Sequence, residues 1–210
     1  EIERDATVAA ACPLLPMATR LIGHFQIRNR GTLGGSIAHA DPAAEYPAVA
    51  VALGAEFVLS GPGGTRTVSA DRFFTGPFST GKQPDELLVE LRFPTESRAV
   101  SIKEVARRHG DFAIALVVVA LGIAGGKIES AGIGLGGVAP TPISPGTAIA
   151  TLVGQRPSRE LFEEAARAAA RESQPSSDIH GSANYRRSLV ETLTSRALAE
   201  AAGDSLEVGS

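Results

Sequence analysis

The sequence has 210 residues, of which 43% are hydrophobic and 20% charged, a composition typical of an ordinary soluble protein with room for two modest domains. The formal net charge is −3, with acids and bases interspersed, so the long-range field gives no reason to expect nucleic acid or an anionic membrane as a partner. Cys12 is the single cysteine. This excludes an intramolecular disulfide, and it excludes a four-cysteine zinc site or an iron–sulfur cluster built from this chain alone.

The sequence also argues against a metal site and a membrane span. The four histidines are far apart, and none has a recognisable metal-ligand spacing, so we expect no metal. The most apolar stretch, residues 113–124, is far shorter than the ~20 residues that a membrane-spanning helix needs, and its β-branched residues favour a buried strand. No signal-peptide pattern stands out and cysteine is scarce, so we expect a cytoplasmic location without membrane insertion.

The first part of the chain predicts short helices joined by glycines. Apolar residues at helical spacing predict one or two helices over residues 6–23. A glycine-rich turn is predicted over residues 31–36. Residues 47–53 predict a short helix with Gly54 as its C-cap, and Pro47 should lie in the first turn of that helix because proline is tolerated there.

A hairpin and a strand follow. Two short strands flank the GPGG turn of residues 61–64, a brief helical turn is predicted over residues 71–74, and the alternation of residues 86–93 predicts another strand. Residues 94–99 are the candidate domain boundary.

Beyond this boundary the pattern changes to strands followed by helices. Three antiparallel strands are predicted over residues 101–106, 113–124 and 127–138. Residues 139–146 are predicted to be an irregular link because they contain three prolines. Amphipathic helices are predicted over residues 158–171 and 183–202. The predicted apolar face of the last helix consists of Tyr185, Leu189, Leu193, Ala197 and Leu198.

The segment with the most chemical information is residues 26–47, QIRNRGTLGGSIAHADPAAEYP. Its adjacent glycines, Gly34 and Gly35, allow backbone amides to approach a ligand without side-chain hindrance, and such a concave set of N–H groups suits a pyrophosphate. From the glycines alone, a plain turn is the favoured interpretation. A generic sugar-nucleotide-binding α+β protein is a further alternative that rests on this turn only.

The whole segment resembles the second FAD-binding motif of molybdenum hydroxylase flavoproteins, which reads like QIRNxGTIGGNxxxADPxxxxP. The similarity continues in three further motifs, KEVARRHGDFA at residues 103–113, IGLGGVAPTP at residues 133–142 and SDIHGSANYRRSL at residues 177–189. Together these motifs extend over nearly the whole chain in the expected order. The sequence is therefore similar to the FAD-binding medium subunits of the carbon monoxide dehydrogenase and xanthine dehydrogenase type.

The resemblance implies an α+β fold in two parts. Residues 1–96 would form a second FAD-binding subdomain, residues 97–203 a C-terminal domain with a three-stranded antiparallel sheet and helices, and residues 204–210 a tail. In the family, a first FAD subdomain with a glycine-rich AGGxS loop precedes the position of Glu1, and nothing in this sequence matches it. We therefore expect this chain, as it stands, to fold but to bind FAD weakly or not at all.

The resemblance also implies FAD as the cofactor. It assigns the contacts with the pyrophosphate and ribityl region to Thr32, Leu33, Gly34, Gly35 and Ser36. Ser36 replaces the commoner asparagine, and its hydroxyl retains a polar contact while the second donor of the amide is lost. His39 would point toward the flavin phosphates, although an ordinary surface histidine is an equal alternative.

Four further residues are implied by their positions in the family's motifs. Asp41 and Glu45 would bind cofactor hydroxyls, since carboxylates accept from vicinal hydroxyls, and the alternative is that their charges only complement a helix N-terminus. Leu88 would pack near the isoalloxazine, with a core leucine as the alternative. Lys103 would reach the polar edge of the flavin, with a solvated lysine as the alternative.

The resemblance implies a function in electron transfer. Because the isoalloxazine itself accepts and passes on electrons, no side chain of the subunit performs acid, base or nucleophilic work, and we assign no catalytic residue. FAD would receive electrons from the iron–sulfur small subunit of a complex that also contains a molybdopterin large subunit, and would pass them to an external acceptor. The resemblance is compatible with a dimer of heterotrimers. The alternative is a non-catalytic assembly module, or truncated fragment, that docks onto these partners without holding FAD.

Overall fold

The computed structural model describes residues 1–203. Up to residue 96 the chain forms a short 3-10 helix (Ile2–Arg4), six helices and five short strands. The helices are α1 (Ala6–Ala11), α2 (Leu14–Leu21), α3 (Phe25–Arg28), α4 (Leu33–His39), α5 (Glu45–Leu53) and α6 (Ala70–Phe73). The strands are β1 (Glu56–Gly61), β2 (Gly64–Ser69), β3 (Phe74–Gly76), β4 (Ser79–Thr80) and β5 (Leu87–Arg92). β1 lies between β2 and β5 in an antiparallel sheet, and β3 pairs with β4.

The second part of the described chain is a three-stranded antiparallel sheet followed by helices. Its strands are β6 (Ala99–Val105), β7 (Ala115–Ala124) and β8 (Lys127–Gly136), with β7 in the centre. Its helices are α7 (Gly146–Leu152), α8 (Arg159–Glu172) and α9 (Ala183–Ala202). No helix of residues 1–203 combines the length and the apolar character that crossing a bilayer requires.

The three-stranded sheet separates two hydrophobic cores. Because side chains alternate along a strand, β7 contributes to both. Leu116, Val118 and Ala120 belong to the first core, which is shared with α2, α5 and β1. Val117, Val119 and Leu121 belong to the second core, which is shared with α7, α8 and α9. One face of the sheet therefore packs against the first part of the chain, and the other face packs against the helices of the second part.

Helix α5 is the central element of the first core. All nine of its residues are buried, as expected for a helix that is apolar on every side. It ends at Gly54, which adopts the left-handed conformation with φ 64°. The predicted glycine C-cap and the position of Pro47 in the first turn are both confirmed.

Glycines allow β8 to approach the backbone of α5. A Cβ atom on Gly134 would overlap the carbonyl oxygen of Ala48, and one on Gly132 would overlap the carbonyl oxygen of Ala52. A side chain at either position would push the helix away from the sheet. The alternation of glycine at positions 132 and 134 is therefore explained by helix packing.

The predicted α+β architecture is confirmed, and the structure differs from the sequence-based expectation in three local details. Residues 32–36 form the start of α4 instead of an isolated turn. Helix α7 follows the predicted irregular link, and its first amides, those of Thr147 and Ala148, are capped by the distant Glu172. Tyr185, which was predicted on the apolar face of α9, is 47% exposed. The predicted tail, residues 204–210, lies outside the described residues.

We expect Gly134→Ala to destabilise the protein by about 1–3 kcal/mol, because overpacking a close helix–strand contact forces the backbone apart. Chemical denaturation measures the free energy of unfolding. Gly63→Ala is the matched control, since a Cβ at Gly63 meets no atom within 4 Å. Equal unfolding midpoints for the two variants would contradict the packing account.

Candidate functional site

The glycine-rich segment forms the first turn of α4, and its two glycines have different roles. Thr32 caps the helix, because its Oγ1 accepts the N–H of Gly35 at 3.0 Å. A Cβ on Gly35 would lie 2.7 Å from this same oxygen, so Gly35 serves the cap. A Cβ on Gly34 would meet no atom within 4 Å. The space beside Gly34 is therefore open to a ligand.

The same first turn contains two backbone donors without a partner in the helix. The amides of Leu33 and Gly34 have no preceding carbonyl in the helix to which they could donate. Leu33 and Leu88 both pack against the first core, and α4 contacts β5, the strand that carries Leu88. The structure thus brings Leu88 close to the predicted pyrophosphate-binding residues.

The other end of α4 carries His39, roughly 9 Å further along the helix axis at 1.5 Å per residue. His39 is exposed, and the centre of its ring lies 5.1 Å from that of Phe78. The amide of Phe78 donates to the carbonyl of Ala40 at 3.0 Å. Both Phe78 and Ala40 have φ 54°, a conformation uncommon for residues other than glycine. This hydrogen bond therefore holds the Phe78 ring beside His39.

Asp41 and Glu45 follow immediately, and both are buried, with 8% and 7% of their surface exposed. Asp41 lies in a tight turn, where its Oδ1 accepts the N–H of Ala43 at 2.8 Å. Glu45 is the first residue of α5. Burial, together with the nearby charge of Asp41, raises the pKa of Glu45 to about 7. Burial therefore favours the protonated form of Glu45.

A cleft of about 620 Å³ opens where the two parts of the chain meet. Its walls come from segments 41–43, 110–114, 137–140 and 174–180, together with the side chains of Pro77, Arg107 and Arg186. Its volume lies within the range of roughly 300–1,000 Å³ that is typical of ligand pockets. Asp41 belongs both to this cleft and to the predicted cofactor-binding residues.

Arg186 is the buried cation of the cleft, with 6% of its surface exposed. Its Nη1 donates to the carbonyls of Ile114 at 2.6 Å and Gly137 at 2.9 Å, and its Nη2 donates to Asp178 at 2.7 Å. This guanidinium lowers the pKa of the Asp178 carboxyl. Arg186 was not predicted as a site residue, because in the YRR part of the SDIHGSANYRRSL motif a buried arginine cannot be distinguished from an exposed neighbour.

Lys103 lies apart from the other predicted site residues. Its ammonium group forms an ion pair with Glu200 of α9, and Ser101 donates to the same carboxylate at 2.7 Å. These contacts place Lys103 on the face of the sheet that packs against α9. The structure therefore gives Lys103 a partner on the face opposite α5 and does not bring it together with Asp41 and Glu45.

A metal centre was also sought among the residues that the structure describes. Among residues 1–203, no group of three or more histidine, cysteine, aspartate or glutamate side chains is placed to hold a metal ion.

Two family models match the chain along almost its whole length. The FAD binding domain in molybdopterin dehydrogenase matches residues 1–96, and the CO dehydrogenase flavoprotein C-terminal domain matches residues 100–201. This chain belongs to the family of FAD-binding subunits of molybdenum hydroxylases. The predicted family is thereby confirmed, and so are FAD as the cofactor and the assignment as an oxidoreductase subunit.

Several members of this family are similar over most of the chain. The glyceraldehyde dehydrogenase medium chain of Sulfolobus acidocaldarius is 38% identical over 203 residues, which are 96% of this chain and 72% of that protein. The nicotine 6-hydroxylase medium subunit of Paenarthrobacter nicotinovorans is 40% identical, over 95% of this chain and 71% of that subunit. The solved structure of carbon monoxide dehydrogenase from Hydrogenophaga pseudoflava superposes with a TM-score of 0.93 at 38% identity, over 95% of this chain and 70% of that chain.

The glycine turn fits the cofactor of this family. A Cβ at Gly34 would meet no atom within 4 Å, and the amides of Leu33 and Gly34 belong to the same first turn of α4. Such donors suit the diphosphate of FAD.

We expect Arg186→Met to destabilise the flavin subunit by about 2–4 kcal/mol, since it removes charge-assisted hydrogen bonds and leaves two carbonyls without a donor. Arg187→Met is the matched control, because Arg187 is the exposed neighbour on the same helix. Thermal and chemical denaturation compare the two variants. Similar losses of stability would show that the Arg186 network adds little to the fold.

Proposed function

We propose that this flavin subunit receives electrons from the iron–sulfur clusters of a partner subunit and passes them through FAD to an external acceptor. The observation that carries the proposal is the open turn at Gly34, in a chain whose family binds FAD. The relatives support this role, since they are named as medium chains or subunits of dehydrogenases and a hydroxylase.

Each part of the site would have a distinct task in holding FAD. The amides of Leu33 and Gly34 would donate to the diphosphate, while Thr32 and Gly35 would keep the helix turn in shape. The hydroxyl of Ser36 supplies one donor and two acceptor lone pairs for a further polar contact. When bound, FAD supplies the redox chemistry, because its isoalloxazine accepts and releases electrons.

Asp41, Glu45, His39 and Leu88 remain proposed cofactor-binding residues. Asp41 lines the cleft and Glu45 begins α5, and their carboxyl groups would bind cofactor hydroxyls. Leu88 would support the apolar part of the cofactor from β5. Lys103 would have to leave Glu200 to reach the flavin, so its role is the least supported by the contacts.

We propose that the external acceptor approaches through the cleft. The cleft begins at Asp41 and therefore lies next to the proposed cofactor residues. Its lining combines cationic Arg107 and Arg186 with apolar Phe112 and Ile114, which suits a ligand with both polar and apolar surfaces.

The proposed partners are an iron–sulfur small subunit and a molybdopterin large subunit, arranged as a dimer of heterotrimers. The names of the relatives as medium chains support a complex of several subunits. Exposed apolar side chains are compatible with such contacts. They include Phe25, Ile27, Leu87, Val89, Phe112 and Ile179.

We expect Gly34→Leu to lower the affinity for FAD by at least about ten-fold, which corresponds to 1.4 kcal/mol, because the new side chain would fill the space next to the two amides. The measurement is the flavin content, by absorbance, of the subunit purified with its partners. Gly146→Leu is the matched control, since it is also an unobstructed glycine in the first turn of a helix.

Unchanged flavin content in Gly34→Leu would contradict this account of the glycine turn. A wild-type complex that assembles but is colourless would instead support a role in assembly without bound FAD. Gly34 is a better position for this experiment than Gly35, because a side chain at Gly35 would also disturb the cap formed by Thr32.

A further inference from the structure

One polar side chain of β6 lies on the face of the sheet that packs against α5. Ser101 and Lys103 both contact Glu200 of α9, on the opposite face. Ile102, which lies between them, packs against the first core. Because side chains alternate along a strand, Glu104 shares the face of Ile102. Of the two neighbours, Glu104 and not Lys103 is therefore directed toward the first part of the chain.

The register of the sheet places Glu104 at the level of the turn before α5. Glu104 pairs with Leu116 of β7, and Leu116 pairs with Gly136 of β8. The carbonyl oxygen of Pro42 lies 3.5 Å from the position that a Cβ on Gly136 would take. Since neighbouring strands are about 4.8 Å apart, Glu104 lies roughly 10 Å from this contact, across two strands. Glu104 thus belongs to the same region of the fold as Asp41, which precedes Pro42 in the chain.

The carboxyl group of Glu104 has one oxygen without a partner. Its Oε2 is inaccessible to solvent and has no hydrogen-bond partner among the described residues. Buried polar atoms of folded proteins nearly always have a partner, and a missing one destabilises the fold. The position of Oε2 therefore favours a hydrogen-bonding group that does not belong to the described part of the chain.

Glu104 is able to reach such a group. The residue as a whole is half-buried, and the terminal torsion of a glutamate rotates readily, so either oxygen can turn toward a ligand. Burial, followed by repulsion from Glu45, raises the pKa of Glu104 to about 8. The neutral carboxyl that this shift favours has one O–H donor as well as acceptor lone pairs. It suits ligand groups that both donate and accept hydrogen bonds, such as hydroxyls.

We propose that Glu104 is the side chain of β6 that binds FAD, and that it forms a hydrogen bond with a polar group of the cofactor. It takes the role that the sequence predicted for Lys103, whose ammonium group is paired with Glu200 on the other face. Glu104 binds the cofactor and takes no part in the electron transfer itself. This inference rests on the proposed function, which places FAD beside Asp41 and Glu45.

The first experiment measures the affinity for FAD of the subunit purified with its partners, by removing the flavin and titrating FAD back while absorbance is recorded. We expect Glu104→Leu to lower the affinity roughly ten-fold, because a polar group of the cofactor is left without a partner. Glu104→Gln keeps a donor and an acceptor, so it should lose less. Glu129→Leu is the control and should bind as the wild type does, since Glu129 is an exposed residue of β8.

Lys103→Met separates the two neighbours on β6. We expect it to lose less affinity for FAD than Glu104→Leu, because the Lys103 side chain faces α9. A larger loss in Lys103→Met than in Glu104→Leu would overturn the assignment. Unchanged affinity in Glu104→Leu would also overturn it, since water and not the cofactor would then be the partner of Glu104.

The second experiment is chemical denaturation of the 210-residue chain without flavin. Glu104→Leu should unfold at the same denaturant concentration as the wild type or at a higher one, because an apolar side chain replaces a buried oxygen that has no partner. A residue with a purely structural role would behave in the opposite way. A lower unfolding midpoint for Glu104→Leu would therefore contradict the proposal.

The assignment of Glu104 and the proposed function fail in different ways. If Gly34→Leu loses flavin while Glu104→Leu binds FAD normally, only the assignment of Glu104 is wrong. If the wild-type complex assembles but is colourless, the proposed function is wrong, and the assignment of Glu104 is wrong with it.

Discussion

The contact on which the rest of the structure depends is the packing of α5 against the bare backbone of β8. Without Cβ atoms at Gly132 and Gly134, the carbonyls of Ala48 and Ala52 can approach the strand directly. This approach places the N-terminal end of α5, with Glu45, against the sheet of the second part of the chain. The same alignment brings the carbonyl of Pro42 to the amide of Gly137, at 2.7 Å. Glycines in one part of the chain therefore fix the position of proposed flavin-binding residues in the other.

Arg186 extends this connection across the cleft. The carbonyl of Gly137 accepts a hydrogen bond from Arg186, and the amide of Gly137 donates to the carbonyl of Pro42. Gly137 therefore links the turn before α5 with α9. The second bond of Arg186, to the carbonyl of Ile114, fixes the segment that enters β7. A flexible amine could not make these bonds and also pair with Asp178 in one geometry, whereas the planar fork of a guanidinium can. The walls of the cleft are thus held by hydrogen bonds as well as by apolar packing.

The sequence predicted those features that depend on neighbouring residues. The helix ending at Gly54, the hairpin after it and the three strands of the second sheet all have local signals. Helix α4 was not predicted, because its two glycines disfavour a helix. In the structure, the cap by Thr32 and the packing of Ile37 in the core stabilise the helix by more than the glycines destabilise it. Helix α7 depends on Glu172, which is distant in the sequence. The family resemblance supplied the cofactor and the candidate residues, but Arg186 and Glu104 owe their environments to tertiary contacts that no local pattern shows.

Two opposing effects act on the pKa of Glu45: the helix N-terminus lowers it, and burial raises it. A carboxylate in the first turn of a helix is usually stabilised by about 0.3–1 kcal/mol, which would lower its pKa. The pKa of Glu45 rises to about 7 instead, so the loss of hydration on burial is the larger effect. A diphosphate bound near α4 would be repelled by Asp41, Glu45 and Glu104 if all three were ionised. Because burial favours the protonated forms of Glu45 and Glu104, that repulsion is smaller than three full charges would give, which reconciles a buried acidic cluster with a site for an anionic cofactor.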